Sequence, residues 1–332
     1  MPQAPVLFEL SGENPSLSRA EALACLRAES PGSRTIGSGP GFLISECDDR
    51  SLGTVAERLA LTHRLGTYLG SAPLDGIMEK AVGLDLPEGA LCVRARKVEG
   101  SHPELDAQDL VRKVGGALSS EHKIDLTAPD INLRILISDQ AYIFLDQYEI
   151  GRKQFDRRKV AERPFFSPIS LHPRYARALI NLTEVRKGDT VLDPFCGTGG
   201  IVLEAALMGM RALGSDIDPE MVQGCLRNLE HFGVNDATVK VCDIGDITDV
   251  FGTVDAVATD PPYGRAASTK KEEINGLYER GLEAMKGAVV PGGRVGIVLP
   301  REIEGRGLEL EQLHLQKVHR SLTRHYHVFI RH

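Results

Sequence analysis

The alternation of strand-like and helix-like segments from residue 190 onward is the feature that most constrains the fold. Five short apolar runs are separated by stretches with helical periodicity, a pattern typical of parallel βαβ units. The runs are Thr190 to Asp193, Arg211 to Asp216, Thr238 to Cys242, Val254 to Thr259 and Arg294 to Leu299. Alternation around Ser321 predicts a C-terminal hairpin. The sequence therefore predicts an α/β domain with a mostly parallel sheet and an antiparallel hairpin at its end.

The first 150 residues show the same alternation in shorter elements. Strand-like runs at Val6 to Leu10 and Phe42 to Ser45 alternate with helical patterns at Leu17 to Ala28 and Thr54 to Leu65. From Leu91 to Val98 apolar and basic residues alternate, which predicts a strand with one buried and one basic face. Two more β-rich runs end near residue 150. We therefore expect a smaller α/β module ahead of the larger domain.

A basic segment followed by prolines separates these two halves. The thirteen residues from Gly151 to Arg163 contain six Lys or Arg and two acidic residues, a net charge of +4. Pro164, Pro168 and Pro173 come next and restrict the backbone. This shift in composition predicts a linker, with the C-terminal domain beginning near residues 160–170.

The composition excludes several classes of protein. With 39 Lys and Arg against 46 Asp and Glu, the formal charge is −7, so any nucleic-acid surface must be local. None of the six cysteines stands in a C-x-x-C pair, so we expect no metal site, and buried thiols in a reducing cytoplasm. The chain shows neither a signal-like N-terminus nor a run of about 18 apolar residues, which predicts neither export nor membrane insertion.

A glycine-rich turn is the first candidate site. The strand Val191–Leu192 ends in Asp193, and Cys196-Gly197-Thr198-Gly199-Gly200 leads into a predicted helix. Glycine at such a turn lets the backbone approach a ligand closely. The third glycine of the dinucleotide fingerprint is replaced by Val202, which argues against NAD.

Further acidic residues end the next two strands. Asp216 comes 23 residues after the first acid, where a carboxylate can accept hydrogen bonds from both ribose hydroxyls, whereas Asp218 fits a helix N-cap better. Asp243 lies 27 residues further and can accept from an adenine amino group, with Ile217 and Ile244 able to enclose the ring. The pattern fits the binding of an adenosine moiety.

The sharpest motif is Asp260-Pro261-Pro262-Tyr263-Gly264, directly after the fourth strand. Two consecutive prolines cannot donate to a β-ladder and hold the turn rigid. The Asp260 carboxylate and the Pro261 carbonyl are then acceptors that face a pocket, with Tyr263 available to stack on a planar base. Such a pocket suits an exocyclic amine, whose two hydrogens need two acceptors.

These motifs, in this order, resemble those of class I S-adenosylmethionine-dependent methyltransferases acting on amino nitrogens, over roughly residues 160–332. Upstream, Arg163 to Pro168 and Leu171 to Leu182 are similar to the segment before the glycine turn in archaeal tRNA guanine-N2 methyltransferases that modify position 10. The histidine frequent there is Ser167 here. The resemblance implies a Rossmann-like domain preceded by a ferredoxin-like layer and a THUMP domain. The implied boundaries are 1–75 for the ferredoxin-like layer, 76–152 for the THUMP domain, 153–170 for the linker and 171–332 for the methyltransferase domain.

The resemblance also implies S-adenosylmethionine as the cofactor and gives roles to the motif residues. Asp216 would hold the ribose, Asp243 the adenine amine, and Asp260 the guanine amine, as a base or as a hydrogen-bonding anchor. The implied catalytic residues are Asp260, Pro261, Pro262 and Tyr263. The implied cofactor-binding residues are Asp193, Cys196, Gly197, Thr198, Gly199, Asp216, Ile217, Asp243 and Ile244.

The same resemblance implies that the basic segments bind tRNA, and it disfavours DNA. Clustered basic residues can contact phosphates even when the total charge is negative. The candidates for RNA binding are Arg94, Arg96, Arg152, Lys153, Arg157 and Arg158. Some members of the family act with a small zinc-ribbon activator subunit, and the sequence does not show whether this chain needs one.

Several alternatives stay open at this point. The enzyme could methylate guanine N2 at another tRNA or rRNA position, or adenine N6 in a nucleic acid, because the Asp-Pro-Pro-Tyr motif is shared with DNA adenine enzymes. Two hypotheses from other classes also stay open. The chain could be a non-catalytic RNA-binding protein with the same fold, or it could be an NAD oxidoreductase. The sequence does not fix whether one or two methyl groups are added, since this depends on the room left after the first transfer.

Overall fold

The computed structural model describes residues 3–167, 170–263 and 273–332. Within these residues the chain forms two compact units. The first contains residues up to Ala22, Glu29–Glu57 and Leu61–Ile150, and the second contains Leu23–Ala28, Arg58–Ala60 and Gly151–His332. The division of the first unit into domains at residues 75 and 76 stays a prediction, as does its THUMP identity.

One mixed sheet of seven strands forms the first unit. The strands are β1 (Gln3–Leu10), β2 (Arg34–Gly39), β3 (Phe42–Asp48), β4 (Thr62–Ala72), β5 (Leu91–Lys97), β6 (Ile131–Ile137) and β7 (Ala141–Glu149). In space they follow the order β2-β3-β1-β4-β7-β6-β5. Neighbours are antiparallel except for β5 and β6, which run parallel. The strands predicted near residues 6–10, 42–45 and 91–98 are confirmed.

Four helices precede or connect these strands. They are α1 (Pro15–Glu29), α2 (Leu52–Arg58), α3 (Ile77–Val82) and α4 (Ala107–Leu118). Asp106 caps α4 by accepting from the backbone N–H groups of Gln108 and Asp109. Leu110, Val114 and Leu118 recur every four residues, so they bury one face of α4 in the core over β5, β6 and β7.

The helix predicted from Thr54 to Leu65 is wrong in its second half. The helix ends at Arg58, and β4 begins at Thr62. β4 pairs with β1 on one side and β7 on the other, so sheet hydrogen bonds on both edges outweigh a helical pattern that is local to the sequence. The sequence reading also missed β2 and α3.

The second unit has the Rossmann-like sheet that the sequence predicts. Its strands are β8 (Thr190–Asp193), β9 (Arg211–Asp216), β10 (Thr238–Val241), β11 (Val254–Thr259), β12 (Val289–Leu299), β13 (Glu309–His319) and β14 (Leu322–Ile330). Their order is β10-β9-β8-β11-β12-β14-β13, parallel from β10 to β12. The hairpin of β13 and β14 adds the antiparallel end. This order brings the carboxyl ends of β8, β9 and β11 to one edge.

Helices cover both faces of this sheet. They are α5 (Lys153–Asp156), α6 (Pro173–Leu182), α7 (Gly200–Leu207), α8 (Pro219–His231), α9 (Ile247–Phe251) and α10 (Ile274–Ala288). Tyr278, Leu282 and Met285 of α10 pack into a buried cluster with residues of β8, β11, β12 and β14. α6 lies against the opposite face, where a Cβ atom on Gly296 of β12 would stand only 3.1 Å from the Leu179 side chain.

The basic segment predicted as a linker packs within the second unit. Phe155 is buried between the guanidinium groups of Arg158 and Arg177. Both arginines also form ion pairs with the buried carboxylate of Glu204 on α7. Buried opposite charges that satisfy one another explain why this part of the segment folds against α6 and α7 instead of extending.

In the described parts of the chain, no helix is long and apolar enough to cross a membrane. Over the same residues, no group of three His, Cys, Asp or Glu side chains could hold a metal ion. The expectation that no metal is needed stays a prediction. All six cysteines are buried and free of disulfides.

Candidate active site

A cavity of about 280 Å³ opens at the carboxyl edge of the second sheet. The sequence-predicted catalytic and cofactor residues line it, with the exception of Gly199. The predicted residues on its wall are Asp193, Cys196, Gly197, Thr198, Asp216, Ile217, Asp243, Ile244, Asp260, Pro261, Pro262 and Tyr263. Parallel strands that end at one edge bring together side chains up to 70 residues apart in sequence.

The turn after β8 has the backbone geometry that requires glycine. Gly197 and Gly199 have φ angles of +46° and +82°, in the left-handed region. A Cβ atom on Gly199 would lie 2.4 Å from the Sγ of the buried Cys225. The Gly197 N–H donates to an Asp216 carboxylate oxygen at 3.0 Å. Gly199 therefore shapes the turn from behind the cavity wall.

Asp193 is the most deeply buried acid of the cavity, with 3% of its surface exposed. Its Oδ1 accepts from the Thr259 hydroxyl at 2.6 Å and from the Phe195 N–H at 3.2 Å. Burial raises the pKa of Asp193 to about 7, against the lowering effect of these hydrogen bonds. The carboxyl group is thus poised to change charge near neutral pH.

Asp216 and Asp218 accept hydrogen bonds from different backbone groups. Asp216 Oδ1 accepts from the Asp218 N–H at 2.9 Å, and Asp218 in turn caps α8 by accepting from the Glu220 N–H at 2.9 Å. Burial raises the pKa of Asp216. The N-cap role of Asp218 is confirmed, whereas the ribose role of Asp216 stays a prediction.

The structure gives Asp243 a partner that the sequence reading missed. Its Oδ1 accepts from the Gly245 N–H at 2.8 Å and from the guanidinium group of Arg280 on α10. Arg280 also lines the cavity. An adenine amine at this position would share the Asp243 carboxylate with Arg280. No local sequence signal marks Arg280, because it reaches the site only through the packing of α10.

The Asp-Pro-Pro-Tyr motif forms the end of the cavity beyond β11. The Tyr263 hydroxyl donates to Asp260 Oδ1, and the Tyr278 hydroxyl donates to the Pro262 carbonyl oxygen at 2.8 Å. Burial raises the pKa of Asp260 to about 6, although the Tyr263 hydrogen bond and the nearby Arg324 cation oppose this. The last motif residue, Gly264, lies outside the described residues.

The segment before α6 folds over the glycine turn. The buried Asn228 side chain accepts from the Phe165 N–H at 2.9 Å and donates to the carbonyl oxygens of Phe165 and Thr198 at 2.7 and 2.9 Å. Arg163 donates to the Thr198 hydroxyl at 3.2 Å. Ser167, which replaces the family histidine, lines the cavity, and Pro168 lies outside the described residues. Asn228 was detectable in sequence as a polar residue on the apolar face of α8.

The predicted RNA-binding residues differ in their surroundings. Arg94 on β5 and Arg152, Lys153 and Arg157 near α5 are exposed. Two others are held in ion pairs, namely Arg96 with Glu9 and Arg158 with Glu204. Because both oxygens of the buried Glu204 carboxylate bind the Arg158 guanidinium, Arg158 has a structural task that the sequence reading did not foresee.

Comparison with known proteins assigns this chain to a family. Residues 161–325 match the family model described as RMKL-like, methyltransferase domain. The chain is 34% identical over 326 residues to the tRNA (guanine(10)-N2)-dimethyltransferase of Methanothermobacter thermautotrophicus, a match that covers 95% of this chain and 96% of the relative. The chain belongs to the tRNA guanine-N2 methyltransferase family.

Two further comparisons extend this assignment of the methyltransferase. The enzyme named tRNA (guanine(10)-N2)-dimethyltransferase from Pyrococcus abyssi is 36% identical over 287 residues, covering 82% of this chain and 85% of that one. The crystal structure of TrmN from Thermus thermophilus matches with a TM-score of 0.58 at 23% identity, covering 99% of this chain and all of that one, which shows a shared fold. The predicted fold class and the enzyme class are confirmed, and S-adenosylmethionine is the methyl donor.

Proposed function

We propose that this methyltransferase transfers a methyl group from S-adenosylmethionine to the exocyclic N2 of guanosine 10 in tRNA, giving N2-methylguanosine and then N2,N2-dimethylguanosine. The observation that carries the proposal is the Asp260 to Tyr263 motif, which faces the same cavity as the glycine turn and the strand-end carboxylates. The position and the second methylation are supported by the names of the relatives that match most of the chain.

The cavity residues fit the cofactor by their chemistry. In this proposal Asp193 and the Gly197 turn bind the methionine end, Asp216 the ribose hydroxyls and Asp243 the adenine amine. Ile217 and the buried Ile244 provide the apolar walls for the adenine ring. Burial raises the pKa values of Asp193 and Asp216 in the protein without ligand. A bound cation or hydrogen-bond donor would favour the charged forms of these carboxylates.

The protein must position a weak nucleophile. The guanine N2 lone pair is delocalised into the ring, so Asp260 and the rigid proline turn orient the amine toward the sulfonium methyl group supplied by the cofactor. As the N2–C bond forms and the C–S bond breaks, positive charge develops on N2. The Asp260 carboxylate stabilises this charge and accepts the proton released from N2. S-adenosylhomocysteine is the other product.

The exposed basic residues support a tRNA surface. Arg94 on the first unit and Arg152, Lys153 and Arg157 on the second are the proposed phosphate contacts. Arg96 is partly exposed and forms an ion pair with Glu9. Arg158 is not among the proposed phosphate contacts, because it forms a buried ion pair with Glu204. We propose a cytoplasmic enzyme, and an assay of the chain alone tests whether a zinc-ribbon activator subunit is required.

The experiment that tests the function measures methyl incorporation from labelled S-adenosylmethionine into unmodified tRNA transcript. Nuclease mapping is expected to find N2-methylguanosine and N2,N2-dimethylguanosine at position 10. A transcript with adenosine at position 10 is the matched control and is expected to take up no label. Label at a different guanosine would contradict the proposed position, and label on adenosine N6 would contradict the chemistry.

Cofactor binding is expected to depend on pH through Asp193. The pKa of this carboxyl is about 7 in the protein, and a cationic methionine ammonium favours its charged form, so binding releases a proton below pH 7. Affinity for S-adenosylhomocysteine therefore rises with pH and levels off above 7, with roughly tenfold between pH 6 and pH 8. Isothermal titration calorimetry measures this change. Asp193→Asn is expected to flatten the pH profile, and an unchanged profile would contradict the assignment.

A further inference from the structure

Arg324 lies at the same edge and on the same face of the sheet as Asp260. Thr259 pairs with Ile297 in parallel register, so Asp260 is level with Val298 of β12. Val298 pairs with Tyr326 of the antiparallel β14, and Arg324 precedes Tyr326 by two residues. Side chains two residues apart in a strand share a face. Arg324 thus extends beyond the carboxyl edge on the side from which Asp260 faces the cavity.

The Tyr263 hydroxyl lies near both charged groups. It donates a hydrogen bond to Asp260 Oδ1, and the Arg324 cation acts electrostatically on Asp260 and on Tyr263. A guanidinium group has only N–H donors, so Arg324 offers donors and no acceptor to a ligand. Asp260 is therefore an acceptor on the cavity wall, and Arg324 is a donor close to it on the same face of the sheet.

Arg324 retains donor capacity in this arrangement. Its Nε is buried and has no hydrogen-bond partner among the described residues. A guanidinium group has five N–H donors in a fixed plane, and a buried donor without an acceptor costs free energy. A ligand with an acceptor at this end of the cavity would remove that cost.

Guanine presents the complementary order of groups along one edge. Its N2 and N1 positions are donors, and O6, on the far side of N1, is an acceptor. The Tyr263 hydroxyl donates to Asp260 Oδ1 in the place that a base amine would take. A guanine that displaces this hydroxyl can offer its amine to Asp260 and its O6 to Arg324. In adenine the acceptor N1 is directly next to the amine, whereas in guanine the acceptor O6 is one position further along the edge. With the adenine amine at Asp260, N1 would therefore not reach Arg324.

We propose that Arg324 donates a hydrogen bond to O6 of the target guanine and thereby selects guanine over adenine, while Asp260 accepts from the amine. This inference rests on the proposed function, because it names the base-reading residue of the same site. The guanidinium plane suits recognition of a base edge better than the ammonium of lysine does.

A cycle of enzyme and substrate variants tests the contact. The two substrates are tRNA with guanosine and tRNA with 2-aminopurine riboside at the target position. The 2-aminopurine base keeps the N2 amine and lacks O6. For the unaltered enzyme, kcat/KM is expected to be at least about tenfold higher with guanosine. In Arg324→Met this ratio is expected to shrink by about tenfold, because no donor remains to read O6.

Controls separate the contact from other roles of Arg324. Arg320→Met, in the exposed turn between β13 and β14, is the matched arginine control and is expected to keep the ratio. Arg324→Lys is expected to give an intermediate ratio. If Arg324→Met does not bind S-adenosylhomocysteine, Arg324→Lys replaces it in the comparison with the unaltered enzyme. An equal loss with both bases would overturn the inference, since it would place Arg324 on a phosphate or only on Tyr263. Failure of the unaltered enzyme to methylate guanosine would instead refute the proposed function.

Discussion

Replacing Asp260 with asparagine is expected to lower kcat about a hundredfold or more while the affinity for S-adenosylhomocysteine stays nearly unchanged. Asparagine keeps the shape of the side chain and one acceptor oxygen, but it can neither take the proton from N2 nor offset the positive charge that develops there. Single-turnover methylation of tRNA measures the loss directly, since product release does not enter that rate.

The pH profile gives this variant a second readout. Because the ionised carboxylate is the active form and the pKa of Asp260 is about 6 in the free protein, kcat/KM for tRNA is expected to rise with pH through 6 and to level off above it. The asparagine variant is expected to lose this rise with pH. Asp249→Asn, on the exposed side of α9, is the matched control and is expected to keep both rate and profile. A full rate in Asp260→Asn would show that the carboxylate has no part in the reaction.

Gly199→Ala is expected to destabilise the second unit by about 3 kcal/mol or more and to abolish cofactor binding. The new Cβ would stand 2.4 Å from the Cys225 sulfur at a φ of +82°, and overpacking and backbone strain each cost roughly 1–3 kcal/mol. Guanidinium unfolding measures the stability, and calorimetry measures the binding of S-adenosylhomocysteine.

Gly188→Ala separates the two causes. Gly188 has a similar φ of +93° but has no atom within 4 Å of its Cβ position. Its replacement carries the backbone strain alone, so we expect a cost of about 1 kcal/mol and normal cofactor binding. Equal losses for the two variants would mean that contact with Cys225 contributes nothing to the turn.

The parts of the site that sequence could predict are those that depend on the ends of single strands. Asp193, Asp216, Asp243 and Asp260 each follow a recognisable β-run, and parallel strands bring such ends together whatever the details of packing. Their identity as acceptors was therefore accessible. The raised pKa values of Asp193, Asp216 and Asp260 were not accessible, because these depend on burial by residues that are remote in sequence.

The residues that sequence reasoning missed arrive from other layers of the fold. Arg280 comes from the middle of α10 and Arg324 from the last strand, and only the packing of these elements decides which side chain meets Asp243 or Asp260. The same limit explains the error at Thr62, where pairing with two neighbouring strands overrides a helical pattern. Periodicity describes one element at a time, whereas a site is made by several.

The Asn228 side chain has a consequence for how the site opens. One amide holds three backbone groups, two on Phe165 and one on Thr198, and it stands on α8. Local unfolding of α8 would release the segment around Phe165 and the cofactor turn in the same event, because no partner of this amide can leave alone without exposing the others. We therefore expect the cofactor turn, the segment around Phe165 and α8 to open together. A cofactor held by that turn lowers the frequency of this opening, so protection from hydrogen exchange would extend to α8, beyond the residues that touch the cofactor.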